Sequence, residues 1–120
     1  MYKFQKLEIY QLALAYLDRA YELGDKLPRS EEYNLKSQFI RAATSIVLNI
    51  AEGSTGQTDA EQHRFLGLAL RSYLETIACL DIMARRIMLA AEEVVEVKEL
   101  GHHLFVKVQT MRRFLKGDHA

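Results

Sequence analysis

The sequence predicts an all-α, antiparallel up-down-up-down four-helix bundle. Apolar residues recur at three- and four-residue spacing through four long segments, the pattern of helices that bury one face. The one proline and most of the six glycines fall between or at the ends of those segments. No segment of strict apolar/polar alternation bounded by turns reads as a strand. At 120 residues the chain is long enough for one real core and too short for two, so residues 1–120 read as a single domain.

The first helix is expected over about 4–23, with Leu7, Ile9/Tyr10, Leu14, Leu17 and Tyr21 as its buried stripe and Gly24 as its C-cap. "GDKLPRS" then turns the chain. Ser30 is the expected N-cap of a second helix over 31–53, with Glu31 and Glu32 suiting its positive first turn. Its core face is Leu35, Phe39, Ala42/Ala43, Ile46 and Ile50, and it stops at Gly53. In "TDAE", Thr58 and Glu61 have capping-box spacing and open a third helix over 59–89. It runs through Phe65, Leu66, Ala69, Tyr73, Ile77, Leu80 and Met83. A fourth helix covers 92–116, ended by Gly117. "RRIMLAAEEVVEV" holds neither Gly nor Pro, so the break near Leu89 to Ala91 rests on length and a slipped apolar phase, with one uninterrupted helix as the alternative. Four helices of about 20 residues, each roughly 30 Å long, with short connections between them, give the up-down-up-down order.

Sixteen basic and sixteen acidic residues cancel, so no global charge points to nucleic acid or membrane. "MYKFQKLEIY" lacks the apolar core of a signal peptide, and no unbroken apolar run has membrane-spanning length. The lone Cys79 sits in an apolar helical segment, the place of a buried, inert thiol. The expected location is the cytoplasm. Leu66, Leu68, Leu70, Leu74, Ile82 and Ile87 carry apolar character further round the third helix than one buried stripe needs, which predicts self-association.

"LPRSEEYNLKSQFIRAATSIVLNIAEGSTG" followed by "RFLGLALRSYLET" resembles the four-helix-bundle family named after the 23S ribosomal RNA intervening-sequence protein. The most specific part is the "RAATSI..NIAEG" block with "RFL..AL.S..E" after it, and the likeness extends over nearly the whole chain. The resemblance implies a small cytosolic bacterial protein without catalytic activity, and a homo-oligomeric ring, since related members form pentamers. Some founding members are encoded within insertions of the large ribosomal RNA gene, which implies a link to RNA or a ribonucleoprotein. A distant relative, the accessory protein of diversity-generating retroelements, is a basic pentamer. This chain departs from that relative in its zero net charge, and it carries "MLAAEE" where the family has a glycine-aromatic turn after the third helix.

Gln38, Arg41, Ser45, Asn49 and Glu52 share one face of the second helix, and Arg64, Leu68, Ser72 and Glu75 one face of the third. Arg41, Ser45, Asn49, Glu52, Arg64 and Glu75 are the expected structural pins, polar groups that satisfy one another and set register. Glu52 lies at the negative end of its helix dipole, and Arg64, Arg112 or Arg113 is the expected cation for it. "GSTG" has the Gly-x-x-Gly form of nucleic-acid clamps but lacks the strands around it, and a cap plus turn accounts for it. "ELGH" has the Glu-x-x-His spacing of di-iron bundles, which need two such motifs and two more carboxylates. His63, His103 and His119 lack paired zinc-ligand spacing. No metal, cofactor or catalytic residue is therefore assigned, and a di-iron or other metal-dependent enzyme ranks third, behind a scaffold and an RNA-binding accessory protein. Lys3, Lys6, Arg64, Arg112, Arg113 and Lys116 collect at one end of the expected bundle and are the candidate nucleic-acid contacts.

Overall fold

In the computed structural model, residues 1–56 and 58–117 are described, and they form four α-helices without a strand among them. These are α1 (Glu8–Gly24), α2 (Leu35–Gly53), α3 (Asp59–Arg85) and α4 (Ala91–Leu115), with single 3-10 turns at Lys3–Lys6 and Arg29–Glu31. The four pack as a bundle: α2 lies between α1 and α3, and α4 closes the circuit against both of them. The α2–α3 contact is the most extensive.

Amphipathic periodicity explains the core, with one correction. On α2 the expected residues Leu35, Phe39, Ala42, Ala43, Ile46 and Ile50 are all buried, and on α3 Leu66, Ala69, Tyr73, Leu80 and Met83 are too. On α1 the expected Ile9 is buried, but from there the stripe continues through Ala13, Tyr16, Ala20 and Leu23. The expected Leu14 and Leu17 flank it at half burial, and Tyr21 is 50% exposed. The reason is steric: Ala13 and Ala20 on either side of Tyr16 let α1 come close enough for that ring to enter the core fully.

Helix ends differ from expectation where side chains offer better partners. Leu7 is extended, so the segment before Glu8 folds as a separate 3-10 turn rather than as part of α1. Ser30 does not cap α2. The Glu31 carboxylate accepts from Asn34 Nδ2 at 3.0 Å and from the Leu35 amide at 3.4 Å, so the helix begins there. Thr58 does cap α3, its hydroxyl accepting the Glu61 amide at 3.2 Å, while the Glu61 side chain turns to Arg64.

The α3–α4 break is real, and α3 ends four residues earlier than expected. Ile87 adopts φ +55°, Met88 N–H bonds Met83 C=O at 2.9 Å, and Ile87 N–H bonds Ala84 C=O at 3.1 Å. That pattern is a Schellman ending, with Ile87 in the left-handed position that glycine usually fills. Buried Leu89 then ties the connection into the core. An uninterrupted helix is thereby excluded.

Candidate functional site

Two places contain the residues singled out by sequence: the seam between α2 and α3, and the end of the bundle where α2 hands over to α3. At the seam, Ser72 Oγ donates to Ser45 Oγ across the two helices at 2.9 Å. Asn49 Nδ2 donates to the Ser45 carbonyl at 2.9 Å and to Ser45 Oγ at 3.0 Å. A mid-helix asparagine is thus satisfied locally. Of the six expected pins, only Ser45 and Asn49 meet here; Arg41, Glu52, Arg64 and Glu75 are exposed. Beside the seam a cleft of about 400 Å³ lies between the start of α2 and the last turns of α3, bordered by Gln38, Glu75, Cys79, Ile82 and Met88. Cys79 is buried, and burial, with Glu75 adding to it, raises its thiol pKa, so it is poorly reactive.

The expected cation for Glu52 goes elsewhere, and the reason lies in the turn. Ser54 Oγ donates to the Ile50 carbonyl and Thr55 Oγ1 to the Glu52 carbonyl, each at 2.9 Å, so hydroxyls satisfy the last carbonyls of α2. Gln62 Nε2 donates to Ser54 Oγ at 2.9 Å and fastens the turn to α3. The two glycines of "GSTG" have separate causes. A Cβ on Gly53 would stand 2.6 Å from Phe65 Cβ, and Gly56 has φ +87°.

Two of the three arginines assigned to Glu52 have other partners. Arg64 pairs with Glu61 at 3.3 Å and lies over the Phe65 ring, 4.5 Å from its centroid. Arg112 Nε donates to the His63 carbonyl at 3.3 Å. His63 is driven below the usual histidine pKa, first by desolvation and then by Arg112 and Lys116. Lys3 lines a separate cleft of about 290 Å³ with Gly53, Gly56, Asp59, Gln62 and Met111. Of the expected nucleic-acid contacts, Lys3, Lys6, Arg113 and Lys116 are exposed, whereas Arg64 is turned to Glu61 and Arg112 to the α3 backbone.

Glu99, His102 and His103 are exposed, and no group of three metal-ligating side chains occurs among the described residues. His119 lies outside them. No described helix is long and apolar enough to cross a membrane. One cluster was not foreseen. Tyr16 Oη and Thr76 Oγ1 lie 2.7 Å apart in the core, and Thr76 Oγ1 also donates to the Tyr73 carbonyl at 2.6 Å. Burial raises the Tyr16 phenol far above its ordinary pKa, so it is a neutral hydrogen-bond donor. A polar Thr76 on the apolar face of α3 was the signal available in the sequence.

The matches to known proteins agree with this architecture. The profile of the 23S rRNA-intervening sequence protein family matches residues 5–109. A solved structure from Bacteroides thetaiotaomicron, described as a protein of unknown function from the S23 ribosomal protein family, superposes with a TM-score of 0.81 at 22% identity, over 88% of this chain and 98% of that one. At that identity the likeness establishes the shared fold. No curated protein matches the sequence. With most of its length covered by the family profile, the chain belongs to the 23S rRNA-intervening sequence protein family.

Proposed function

We propose that this protein is a non-enzymatic, homo-oligomeric helical scaffold of the bacterial cytoplasm, a ring of five copies being the favoured assembly. The observation that carries the reading is apolar surface that the bundle leaves uncovered on α2 and α3. Leu48 is 60% exposed, Leu74 56% and Ile82 47%. Large aliphatic side chains left exposed on two packed helices mark a second interface. Within each copy the helices run up-down-up-down. In support, Glu8 at the start of α1 pairs with Lys107 late in α4, and Lys26 just beyond α1 pairs with Glu93 at the start of α4. Light scattering at micromolar concentration tests assembly: about five times the chain mass is expected, and the mass of one chain would refute it.

A second reading, an RNA- or ribonucleoprotein-binding accessory role, is favoured by one electrostatic observation. Desolvation first, and then the positive charges of Arg112 and Lys116, hold the His63 pKa below its ordinary value, so two cations stand close together at this end of the bundle. Lys3, Lys6, Arg113 and Lys116 would supply phosphate contacts, against Asp59 and Glu61 nearby. RNA binding that weakens steeply with salt, and on changing those four to Ala, is the expected result. Absence of binding at low salt would discard it.

A further inference from the structure

We infer that the 3-10 turn Lys3–Lys6 carries a platform for single-stranded nucleic acid, with Tyr2 stacking an unpaired base and Lys3 and Lys6 meeting the adjoining phosphates. The inference rests on the RNA-binding reading above and names the form of strand and the surface that takes it.

A row of rings is built at this end of the bundle. The Tyr2 and Phe4 rings lie parallel to within 6°, centroids 6.3 Å apart, and the Tyr10 ring meets Phe4 edge-on at 5.1 Å. Hydrogen bonds hold the turn in place: Tyr2 N–H donates to Gln5 Oε1 at 2.6 Å, and Gln11 Nε2 donates to the Gln5 carbonyl at 2.9 Å. Phe4 and Tyr10 are half-buried, while Tyr2 is 76% exposed. The row therefore starts on α1 and ends with a flat ring in water.

The lysines beside that ring are unpaired ones. Lys26, Lys36, Lys98 and Lys107 each reach a carboxylate within the chain. Lys3, Lys6 and Lys116 are exposed and have no ion-pair partner among the described residues. All three stand at one end: Lys3 lines a cleft with Met111 of α4, Lys6 closes the same turn, and Lys116 lies near enough to His63 to act on it. Residues three apart in a 3-10 turn eclipse, so Lys3 and Lys6 share one side of it. Of the carboxylates at this end, Glu61 is held by Arg64 and Glu8 by Lys107, which leaves Glu52 and Asp59 against the lysines and Arg113.

Cations alone would suit any polyanion. An exposed flat ring among them favours a polyanion that carries flat rings of its own, which is a nucleic acid. In a duplex those rings are paired and stacked on one another, so a single strand is the form that can offer one to Tyr2. The phosphates hold the strand, and the stack recognises that a base is unpaired without regard to its sequence.

Titration with a single-stranded oligoribonucleotide of about ten residues tests the inference, with circular dichroism as the check on folding. The strand carries a fluorescent adenine analogue whose emission falls when it stacks. Quenching on binding is expected from the wild type. Tyr2→Ala should weaken binding by about tenfold and abolish the quenching, while Tyr2→Phe stays within about threefold of the wild type. Lys3→Ala/Lys6→Ala should flatten the slope of log affinity against log salt by about 1.4, which Tyr2→Ala leaves unchanged. The same sequence as a duplex should bind about tenfold more weakly than the strand. These three positions are exposed, so helicity should not change. A deoxy strand distinguishes the two sources: equal affinity supports a platform that meets only rings and phosphates, and preference for the ribose strand assigns it to RNA. A folded Tyr2→Ala variant that binds and quenches like the wild type, or a duplex bound as tightly as the strand, overturns the platform and leaves the basic-end reading standing. No binding of the strand at low salt overturns both, and capture by vesicles of anionic phospholipid in that case gives this end to a membrane surface.

Discussion

Arg112 lies across Gly67 so closely that a Cβ added there would stand 2.8 Å from a terminal guanidinium nitrogen. The bare helix surface at Gly67 is what lets Arg112 reach the His63 carbonyl. Gly67→Ala should displace the guanidinium, a flexible group that can move into solvent. The helix-propensity gain of about 1 kcal/mol offsets the lost contact, so stability should stay within about 0.5 kcal/mol of wild type in urea titration.

His63 reports the same displacement. Its folded pKa lies below the ordinary 6.5, so between the two values the unfolded chain binds a proton that the folded chain does not. Its contribution is therefore nil well above 6.5 and turns against folding as pH falls through that value. NMR titration should place the His63 midpoint below 6.5 in the wild type and move it upward in Gly67→Ala and Arg112→Gln. An unmoved midpoint in Arg112→Gln would leave the depression to desolvation and Lys116.

Gly101 presents the opposite case. A Cβ there would meet Tyr16 Cε1 at 2.8 Å and Tyr73 Cε1 at 2.9 Å, and both rings are buried and cannot yield. Gly101→Ala should destabilise by about 2 kcal/mol, overpacking outweighing helix propensity. Chemical denaturation of the two alanine variants side by side separates a glycine under a mobile side chain from one under fixed rings.

The Tyr16–Thr76 pair should be non-additive. Thr76 Oγ1 gives its proton to the Tyr73 carbonyl, so the Tyr16 hydroxyl must be the donor between them. Tyr16→Phe removes that donor and should cost about 1 kcal/mol, whereas Thr76→Val leaves a buried phenol unpaired and should cost about 2. The double variant should cost less than the sum, which a double-mutant cycle measures directly.

Ile87 carries backbone strain that can be relieved. A β-branched residue at φ +55° costs about 1–2 kcal/mol, and its side chain is 85% exposed, so little burial compensates. Ile87→Gly should stabilise the protein by about 1 kcal/mol, less than the full strain because glycine also loosens the unfolded chain. A lower urea midpoint would mean that the Ile87 side chain makes a contact worth more than its strain.

Sequence revealed much of the fold because α2 and most of α3 bury regular stripes that begin and end on recognisable residues, such as Thr58 and Gly53. It misread α1 because Leu14 and Leu17 outweigh Ala13 and Ala20 in apolarity, although small residues were what the close packing around Tyr16 required. The end of α3 was hidden because Ile87 takes a glycine's conformation without a glycine's signature. At the site, the local bonds of Asn49 and Ser45 follow from four-residue spacing. The partners of Arg64 and Arg112 do not, since they depend on how far each side chain reaches across a finished surface.

The seams of the bundle are held by different chemistry. Glu8–Lys107, Arg19–Glu96 and Lys26–Glu93 bridge α1, or the turn after it, to α4, whereas α2 and α3 are joined by hydroxyl bonds and close apolar packing. Ionic strength therefore acts on the α1–α4 edge, as it does on Lys98–Asp81 between α4 and α3 and on Lys36–Asp25 between α2 and the end of α1, and leaves the α2–α3 seam untouched. Evolution can retune the α1–α4 edge by exchanging surface charges while the α2–α3 half stays a fixed chassis.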